Sequence, residues 1–236
     1  MEFSRFKIIV KDKFEDIKNK TVLILGIGGV GSYAVEAIAR CGVGKIIIAD
    51  NDKVDITNIN RQIISLHSTL MMDKVDVAED RIKDINPDCE VVKINEYITE
   101  ENVDLLFNEK IDYLVDACDT IPTKKAVIKE CLKRKVKFIS SMGTGNKLDP
   151  SKLEITDIRK TKYDPIAKII RKMVKDEKIN DKITVVCSSE EPIKNNSKII
   201  GSCAFVPSTA GLLCASFIIN DIMGSGTNER GTVKNN

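Results

Sequence analysis

Residues 21–32 read TVLILGIGGVGS, an apolar run followed by glycines with the spacing G-x-G-x-x-G. The β-branched and aliphatic side chains of the run are typical of a strand buried on both faces. Glycines at the following turn let the backbone approach a phosphate group, and the helix that begins there attracts its charge. The stretch therefore predicts a nucleotide bound against Gly26, Gly28, Gly29 and Gly31.

The residues after the glycines complete a strand-helix-strand unit. Apolar spacing predicts a helix at 32–41 that ends at Gly42, and KIIIAD at 45–50 predicts a second buried strand. This is about 30 residues, the usual size of a βαβ unit. Asp50 ends the second strand, where a carboxylate can accept hydrogen bonds from ribose hydroxyls.

The alternation of strands and helices continues along the chain. Helices are predicted at 3–16, 74–85, 101–109, 123–134, 165–176 and 204–223, and strands at 90–94, 113–116, 138–141, 153–157 and 184–187. This pattern predicts an α/β fold, a Rossmann-like, doubly wound and mainly parallel sheet with a C-terminal insertion and a terminal helix. We expect residues 1–150 to form a nucleotide-binding core and 151–236 an extension packed on it, together as one compact unit.

Polar residues downstream of the glycines indicate ATP rather than NAD. Nucleotidyl transfer requires charge neutralisation at the phosphates, whereas hydride transfer does not. Arg61 and Lys74 can hold phosphate oxygens, and Asp119 can hold Mg²⁺ against them. The chain contains no GxxxxGK[ST] motif, which excludes a P-loop ATPase. The set lies in four stretches, namely Asp50-Asn-Asp52, Asn58-Ile-Asn60-Arg61-Gln62, Lys74 and Asp116-Ala-Cys-Asp119.

Composition excludes several other classes of protein. The formal net charge of +2 is too small to indicate nucleic-acid binding by itself. Lysine and arginine are nevertheless concentrated at 124–137 and 159–182, where solvated helix faces are the simplest interpretation. The seven cysteines are widely spaced without a CxxC pair, and His67 is the one histidine, so a zinc site is not expected.

The two ends of the sequence predict a cytoplasmic location. Residues 1–20 lack the apolar region and cleavage site of a signal peptide. Polar residues and Pro207 interrupt the apolar stretch at 204–223, below the roughly 20 apolar residues that a membrane span needs. We therefore expect a buried terminal helix and no membrane association.

The ordered set of motifs resembles the ThiF/MoeB family of ubiquitin-activating-enzyme-like adenylyltransferases over roughly residues 1–150. The resemblance implies ATP and Mg²⁺ as cofactors. It also implies a homodimer in which an N-terminal arginine, here Arg5, reaches the partner's site. The remaining roles that it implies are ATP binding by the glycine turn, Asp50, Asp52 and Asn58, phosphate contacts by Arg61 and Lys74, and Mg²⁺ binding by Asp119.

Within this family, the chain looks like the branch of tRNA threonylcarbamoyladenosine dehydratases. The features that carry the likeness are SMGTGNKLDP at 141–150, LEITDI at 153–158 and YDPIA at 163–167, together with the missing zinc pairs. The branch implies ATP-dependent dehydration and cyclisation of N6-threonylcarbamoyladenosine in tRNA through an adenylated carboxylate. Residues 1–150 would then be the ATP-binding adenylation core, and 151–236 the extension that binds the tRNA substrate.

A tRNA substrate would give the second basic cluster a function, because Lys and Arg contacts to phosphate dominate RNA affinity. Helical spacing places four basic residues on one face of the helix at 165–176, opposite its apolar stripe, and we expect them to bind tRNA: Lys168, Arg171, Lys172 and Lys175. Cys187 and His67 are expected to have structural rather than catalytic roles.

Three alternatives remain open from the sequence. The nearest is an adenylyltransferase that activates the C-terminus of a ubiquitin-like sulfur-carrier protein. The missing CxxC pairs weigh against this activity. On either interpretation, a sulfur-relay protein is a candidate partner. An NAD-dependent oxidoreductase would explain the glycines but not the combination of Arg61, Lys74 and Asp119. The third alternative is a pseudoenzyme that only binds a nucleotide. It would have no need of Arg61, Lys74 and Asp119, so the presence of all three argues against it.

Overall fold

The computed structural model describes residues 2–194, 196–197 and 199–224, so the end of the predicted extension, 225–236, lies outside the described residues. Within them, seven strands form one sheet in the order β3-β2-β1-β4-β5-β7-β6. All neighbours are parallel except β6 and β7, which are antiparallel. The strands are β1 (Thr21–Leu25), β2 (Lys45–Ala49), β3 (Glu90–Ile94), β4 (Tyr113–Asp116), β5 (Lys137–Ser141), β6 (Leu153–Asp157) and β7 (Thr184–Ser188).

Helices cover both faces of this sheet. One apolar core lies beneath α3, α4 and α7, and a second lies beneath α5 and α6. The predicted doubly wound, mainly parallel α/β fold is therefore confirmed. The helices are α1 (Ser4–Val10), α2 (Phe14–Lys18), α3 (Gly31–Arg40), α4 (Lys74–Ile85), α5 (Ile121–Arg134), α6 (Pro165–Asp176) and α7 (Phe205–Ile222).

The sheet runs through position 150 without interruption. β7 pairs with β5, with Ser140 opposite Val185, and β6 closes the sheet edge beside β7. β7 is buried along its whole length. The segment after residue 150 thus contributes two strands to the same sheet as the nucleotide-binding unit.

Two of the predicted α-helices are not continuous α-helices in the structure. The helix predicted at 3–16 is divided into α1, a short 3-10 segment and α2, because Lys11 adopts a φ of 52°. The bend brings the ring of Phe14 to 5.6 Å from that of Phe3. The helix predicted at 101–109 is only a 3-10 segment, Val103–Phe107.

The apolar terminal helix α7 is long and apolar enough to span a membrane by length and composition. In this fold, half of it is buried inside the protein. It packs closely on α3, since a Cβ at Gly211 would lie 2.2 Å from the carbonyl oxygen of Val30. The predicted buried helix is confirmed as a core element of the fold.

Candidate functional site

A cleft of about 480 Å³ opens at the carboxyl ends of the parallel strands. It lies beside the ends of β1 and β4, where the strand order reverses and where open α/β sheets bind their ligands. The volume is within the ~300–1,000 Å³ usual for small-molecule sites. Nine of the residues predicted from sequence line it, namely Gly26, Gly28, Gly29, Asp50, Asp52, Asn58, Arg61, Lys74 and Asp119.

The glycine turn forms one wall of the cleft. Gly26 has a φ of 86°, which side chains rarely tolerate, and this conformation turns the chain away from β1. Gly31 does not line the cleft but begins α3, where a Cβ would lie 1.7 Å from the carbonyl oxygen of Gly26. Gly31 therefore serves helix–strand packing, while the other three glycines border the cavity.

Asp50 holds the shape of the glycine turn. Its Oδ2 accepts a hydrogen bond from the N–H of Ile27 at 2.6 Å, and its Oδ1 accepts one from the N–H of Asp52 at 2.9 Å. Burial raises the pKa of Asp50, and the positive charge of Lys74 opposes that rise. The carboxylate thus links β1 to β2 at the position where a ribose would lie.

Lys74 brings a buried positive charge into the cleft. Its side chain is 5% exposed and donates to Asp52 Oδ2 at 2.7 Å, whereas Asp52 is mostly exposed. Lys74 is the first residue of α4, so the backbone fixes where its side chain begins. A bound phosphate could take the place of Asp52 as its partner, because both present anionic oxygens.

Arg61 and Asn58 lie on the loop between β2 and α4. Arg61 Nη1 donates to the carbonyl oxygen of Thr57 at 2.8 Å and to Asn60 Oδ1 at 3.0 Å, which orients the guanidinium along the cleft. Asn58 Oδ1 accepts the N–H of Asp55 at 3.1 Å and completes a capping box. Asn58 therefore holds the loop in shape as well as lining the cavity.

Asp119 presents an exposed carboxylate at the mouth of the cleft, just after β4. Mg²⁺ is usually bound by one or two carboxylates, substrate phosphates and water, so one aspartate beside two cations fits a Mg²⁺–nucleotide complex. In the described part of the chain no group of three or more His, Cys, Asp or Glu side chains could hold a metal ion. The site fits a metal that arrives with its nucleotide.

Beneath Asp119 lies a buried ion pair that the sequence interpretation missed. Lys124 Nζ donates to Asp116 Oδ2 at 2.8 Å, and both side chains are fully buried. The same ammonium donates to Ser140 Oγ at 3.1 Å and to the carbonyl oxygen of Ser141 at 3.0 Å. Burial tends to lower the pKa of Lys124, because it disfavours the charged ammonium. The negative charge of Asp116 and its hydrogen bond act in the opposite direction, and the pKa is raised on balance. The pair ties β4, β5 and α5 together under the cleft.

A second buried pair joins the cleft to α6. Lys147 Nζ lies 3.3 Å from Asp164 Oδ2 and donates to the carbonyl oxygen of Gly143 at 2.7 Å. Asp164 also caps α6 by accepting the N–H of Ala167 at 2.7 Å. Gly143 lines the cleft, and a Cβ there would lie 2.7 Å from Asp164 Oδ2. The two sequence stretches at 141–150 and 163–167 therefore meet beside the site.

The predicted basic face of α6 is only partly correct. Lys168, Lys172 and Lys175 are exposed on one side of the helix. Arg171 is half-buried, and its Nη1 donates to the carbonyl oxygen of Thr161 at 2.9 Å. Arg171 therefore fixes the start of α6 instead of sharing the lysine face.

Three further predicted residues lie outside the cleft lining. Arg5 is exposed on α1, so it does not contact the cleft of its own subunit. Cys187 is buried in β7, and burial raises the pKa of its thiol to about 11, which keeps it a thiol at neutral pH. His67 is exposed in a short 3-10 segment.

The segment that leads into α7 forms a further wall of the cleft, which the sequence interpretation missed. Ile200, Ser202 and Pro207 all line it. Asn60 Nδ2 donates to the carbonyl oxygen of Ser202 at 3.0 Å, which fastens this segment to the Arg61 loop. A Cβ at Gly29 would lie 3.1 Å from the ring of Pro207, so α7 begins against the glycine turn.

Comparison with known proteins gives a consistent set of matches. The model of the ThiF family matches residues 3–228. The chain is 45% identical to the tRNA threonylcarbamoyladenosine dehydratase of Bacillus subtilis over 94% of each chain. It is 34% identical to the dehydratase of Escherichia coli over 82% of this chain and 70% of the other.

A solved structure shares the same architecture. The E. coli tRNA N6-threonylcarbamoyladenosine dehydratase in complex with ATP superposes with a TM-score of 0.89. The match is 30% identical and covers 95% of this chain and 94% of that one. The similarity therefore extends beyond residue 150 and includes the segments at 141–167 that border the cleft.

Proposed function

Because this chain belongs to the ThiF family, we propose that it is an ATP-dependent enzyme that dehydrates N6-threonylcarbamoyladenosine in tRNA through an adenylated carboxylate. The observation that supports this most is the cleft itself. It brings the glycine turn, two cations and an exposed carboxylate together at the switch point of the sheet. The similarity to two bacterial dehydratases over most of the chain supports the choice of substrate.

The proposed reaction has two steps. A carboxylate oxygen of the threonyl group attacks the α-phosphorus of ATP, and the bond to pyrophosphate breaks. An internal nucleophile of the same substrate then attacks the activated carbonyl carbon, and AMP leaves with the carboxylate oxygen. The net change in the nucleoside is loss of one water.

The residues of the cleft act on the first step. Arg61 and Lys74 would neutralise charge that develops on the phosphate oxygens as pyrophosphate departs. The Asp50 carboxylate would hold the ribose, and the glycine turn would receive the phosphates. The second step requires no nucleophile from the enzyme, which agrees with the burial of Cys187.

We further propose that Asp119 holds Mg²⁺ on the triphosphate. The ion would supply charge neutralisation at the phosphates, as it does in other nucleotidyl and phosphoryl transfer reactions. The position of Asp119 at the mouth of the cleft supports this assignment, since a carboxylate there is open to a metal that enters with ATP.

The exposed lysines of α6 form the proposed tRNA contact. Lys168, Lys172 and Lys175 share one face, and α6 reaches the cleft through Ile166. Phosphates of a tRNA whose modified adenosine enters the cleft would meet these lysines. We also propose a cytoplasmic location, where a tRNA substrate would be available, and a sulfur-relay partner remains a prediction from sequence.

A homodimer is the proposed form of the active enzyme, with Arg5 reaching the partner's cleft. The exposed position of Arg5, outside its own cleft, supports this arrangement. Arg5→Ala is expected to reduce turnover while ATP affinity changes little. Mixing this variant with Asp119→Ala should restore activity, because a mixed dimer has one site with both groups intact.

Random subunit exchange makes half of the dimers mixed, with one of two sites intact, so about one quarter of wild-type activity should return. AMP formation before and after mixing measures this recovery. Absence of recovery, once exchange has been confirmed by mass spectrometry, would count against an arginine that acts across the dimer.

The proposed function is tested by measuring AMP and pyrophosphate release from ATP. The RNA substrates are tRNA that carries threonylcarbamoyladenosine and the same tRNA without the modification, beside a ubiquitin-like sulfur-carrier protein. We expect release with the modified tRNA alone, and mass analysis should show its nucleoside lighter by one water. Release only with the carrier protein would replace this proposal with sulfur-carrier activation.

A further inference from the structure

The exposed aromatic side chains belong to the cleft lining or to segments that lead into it. Among the described residues, three aromatic side chains are exposed, namely Tyr97, Tyr163 and Phe205. Tyr97 lines the cleft, Tyr163 lies three residues before Ile166 of its lining, and Phe205 lies two residues before Pro207 of its lining. The other aromatic rings of the described chain are buried or half-buried. An exposed ring is costly to hydrate, so this distribution suggests a ligand with flat apolar faces.

Tyr163 has the most constrained backbone of the three. Its φ is 56°, in the left-handed region that a bulky side chain rarely adopts. Strained residues of this kind persist where the surrounding structure fixes them, and they occur often at ligand sites. The side chain remains 58% exposed, so packing of the ring within the protein does not explain the strain.

The buried pair next to Tyr163 fixes this conformation. Asp164 is bonded at once to Lys147 and to the N–H of Ala167, and Pro165 occupies the first position of α6. These contacts fix the backbone between Tyr163 and the first turn of α6. The ring is therefore presented to solvent from a rigid base, beside the loop that contains Gly143.

The charge around Tyr163 matches RNA. Residues 159–175 contain seven lysines or arginines and one acidic residue, Asp164, which is buried and paired. Lys160 and Lys162 lie just before the tyrosine in sequence and are exposed. Single-stranded RNA is recognised by aromatic rings that stack on unpaired bases, with lysines that contact the adjoining phosphates.

We propose that Tyr163 is a stacking platform for an unpaired nucleobase of the tRNA, adjacent to the modified adenosine that enters the cleft. This assignment rests on the proposed function and specifies how that site recognises its RNA. The ring supplies a flat surface for the neighbouring base, and the fixed backbone avoids the entropy loss of ordering a mobile loop on binding.

A fluorescence experiment tests the stacking directly, because the chain contains no tryptophan. Tyr163→Trp introduces a single reporter at the proposed platform. The probe is an anticodon stem-loop RNA that carries threonylcarbamoyladenosine, added to the full-length protein. We expect its binding to quench the emission strongly, since a base stacked on indole is in direct contact with it. Unchanged emission at saturating RNA, with binding confirmed by electrophoretic mobility, would overturn the platform.

The matched control is Leu105→Trp. Leu105 is 37% exposed on the 3-10 segment after β3 and does not line the cleft. Its emission should not change when the RNA binds. Equal quenching at both positions would indicate a general effect of RNA on tryptophan emission and would also contradict the proposal.

Kinetics provide the second readout. Tyr163→Ala should raise KM for the modified tRNA by about 5- to 150-fold, the loss expected for one stacked base, with ATP affinity preserved. Tyr163→Phe keeps the ring and should retain the wild-type KM. A raised KM in this variant would mean that the hydroxyl, and not the ring, contacts the RNA. If the wild-type enzyme forms no AMP with modified tRNA, the proposed function is wrong. The quenching experiment would still show whether an RNA base stacks on residue 163.

Discussion

Replacing Asp119 with alanine is expected to reduce AMP formation by roughly 100- to 1,000-fold, the usual loss when one preorganised charge contact to a transition state is removed. The carboxylate is exposed at the mouth of the cleft, so its removal opens no cavity and leaves no buried partner unpaired. Unfolding stability should therefore stay within about 0.5 kcal/mol of wild type. Turnover with modified tRNA and thermal unfolding measure the two quantities on the same preparation.

The matched control for this prediction is Asp104→Ala. Asp104 is an exposed carboxylate whose ion pair with Arg134 lies on the surface, outside the cleft. Surface pairs of this kind contribute little, and activity should remain at the wild-type level. If Asp119→Ala turned over ATP as fast as Asp104→Ala at saturating Mg²⁺, the assignment of Mg²⁺ to Asp119 would be wrong.

Replacing Lys124 with alanine is expected to cost about 3–5 kcal/mol of unfolding free energy, because it leaves the carboxylate of Asp116 buried without its partner. Both side chains are fully buried beneath the cleft, and no solvent can replace the lost ammonium. A loss of this size is a large part of the ~5–15 kcal/mol by which a typical protein is stable. Denaturant titration measures the difference.

Lys129→Ala is the control for helix propensity and charge. Lys129 lies on the same helix, α5, and its ion pair with Glu177 is nearly half exposed on both sides. Its removal should change stability by less than about 1 kcal/mol. Replacing both buried residues, in Lys124→Met with Asp116→Leu, should recover part of the loss. Equal losses for Lys124→Ala and Lys129→Ala would contradict a stabilising buried pair.

Most strands of this fold follow from sequence pattern because they contain short runs of apolar residues, many of them β-branched. β1, β2 and β4 are buried almost completely, and such runs have few other places to lie in a soluble protein. The helix expected at 101–109 failed for a local reason. Asn102 Oδ1 accepts the N–H of Thr99 at 2.6 Å, and its Nδ2 donates to the carbonyl oxygen of Tyr97 at 3.0 Å. These bonds hold a turn that competes with an α-helix.

The ATP-binding motifs could be found from sequence because they follow successive strand ends, which a parallel sheet brings to one edge. The buried pairs could not, because a lysine in a basic cluster is ordinarily solvated. One signal was available for Lys124. It falls on the same helical stripe as the apolar residues Val127, Ile128 and Cys131, so its spacing predicts a buried side chain. For Lys147 and Asp164, seventeen residues apart, only the tertiary fold brings the partners together.

The order of the strands also has a consequence for synthesis of the chain. β6 pairs with β7 alone and lies at the sheet edge, although β7 is 27 residues later in sequence (184 − 157). A chain that grows from its N-terminus therefore makes β6 before the strand that must separate it from β5. At the ~5–20 residues per second of translation, β6 waits about 1–5 seconds for its partner. The cleft is completed later still, when Pro207 is synthesised, so the full lining of the site forms only after all seven strands have been made.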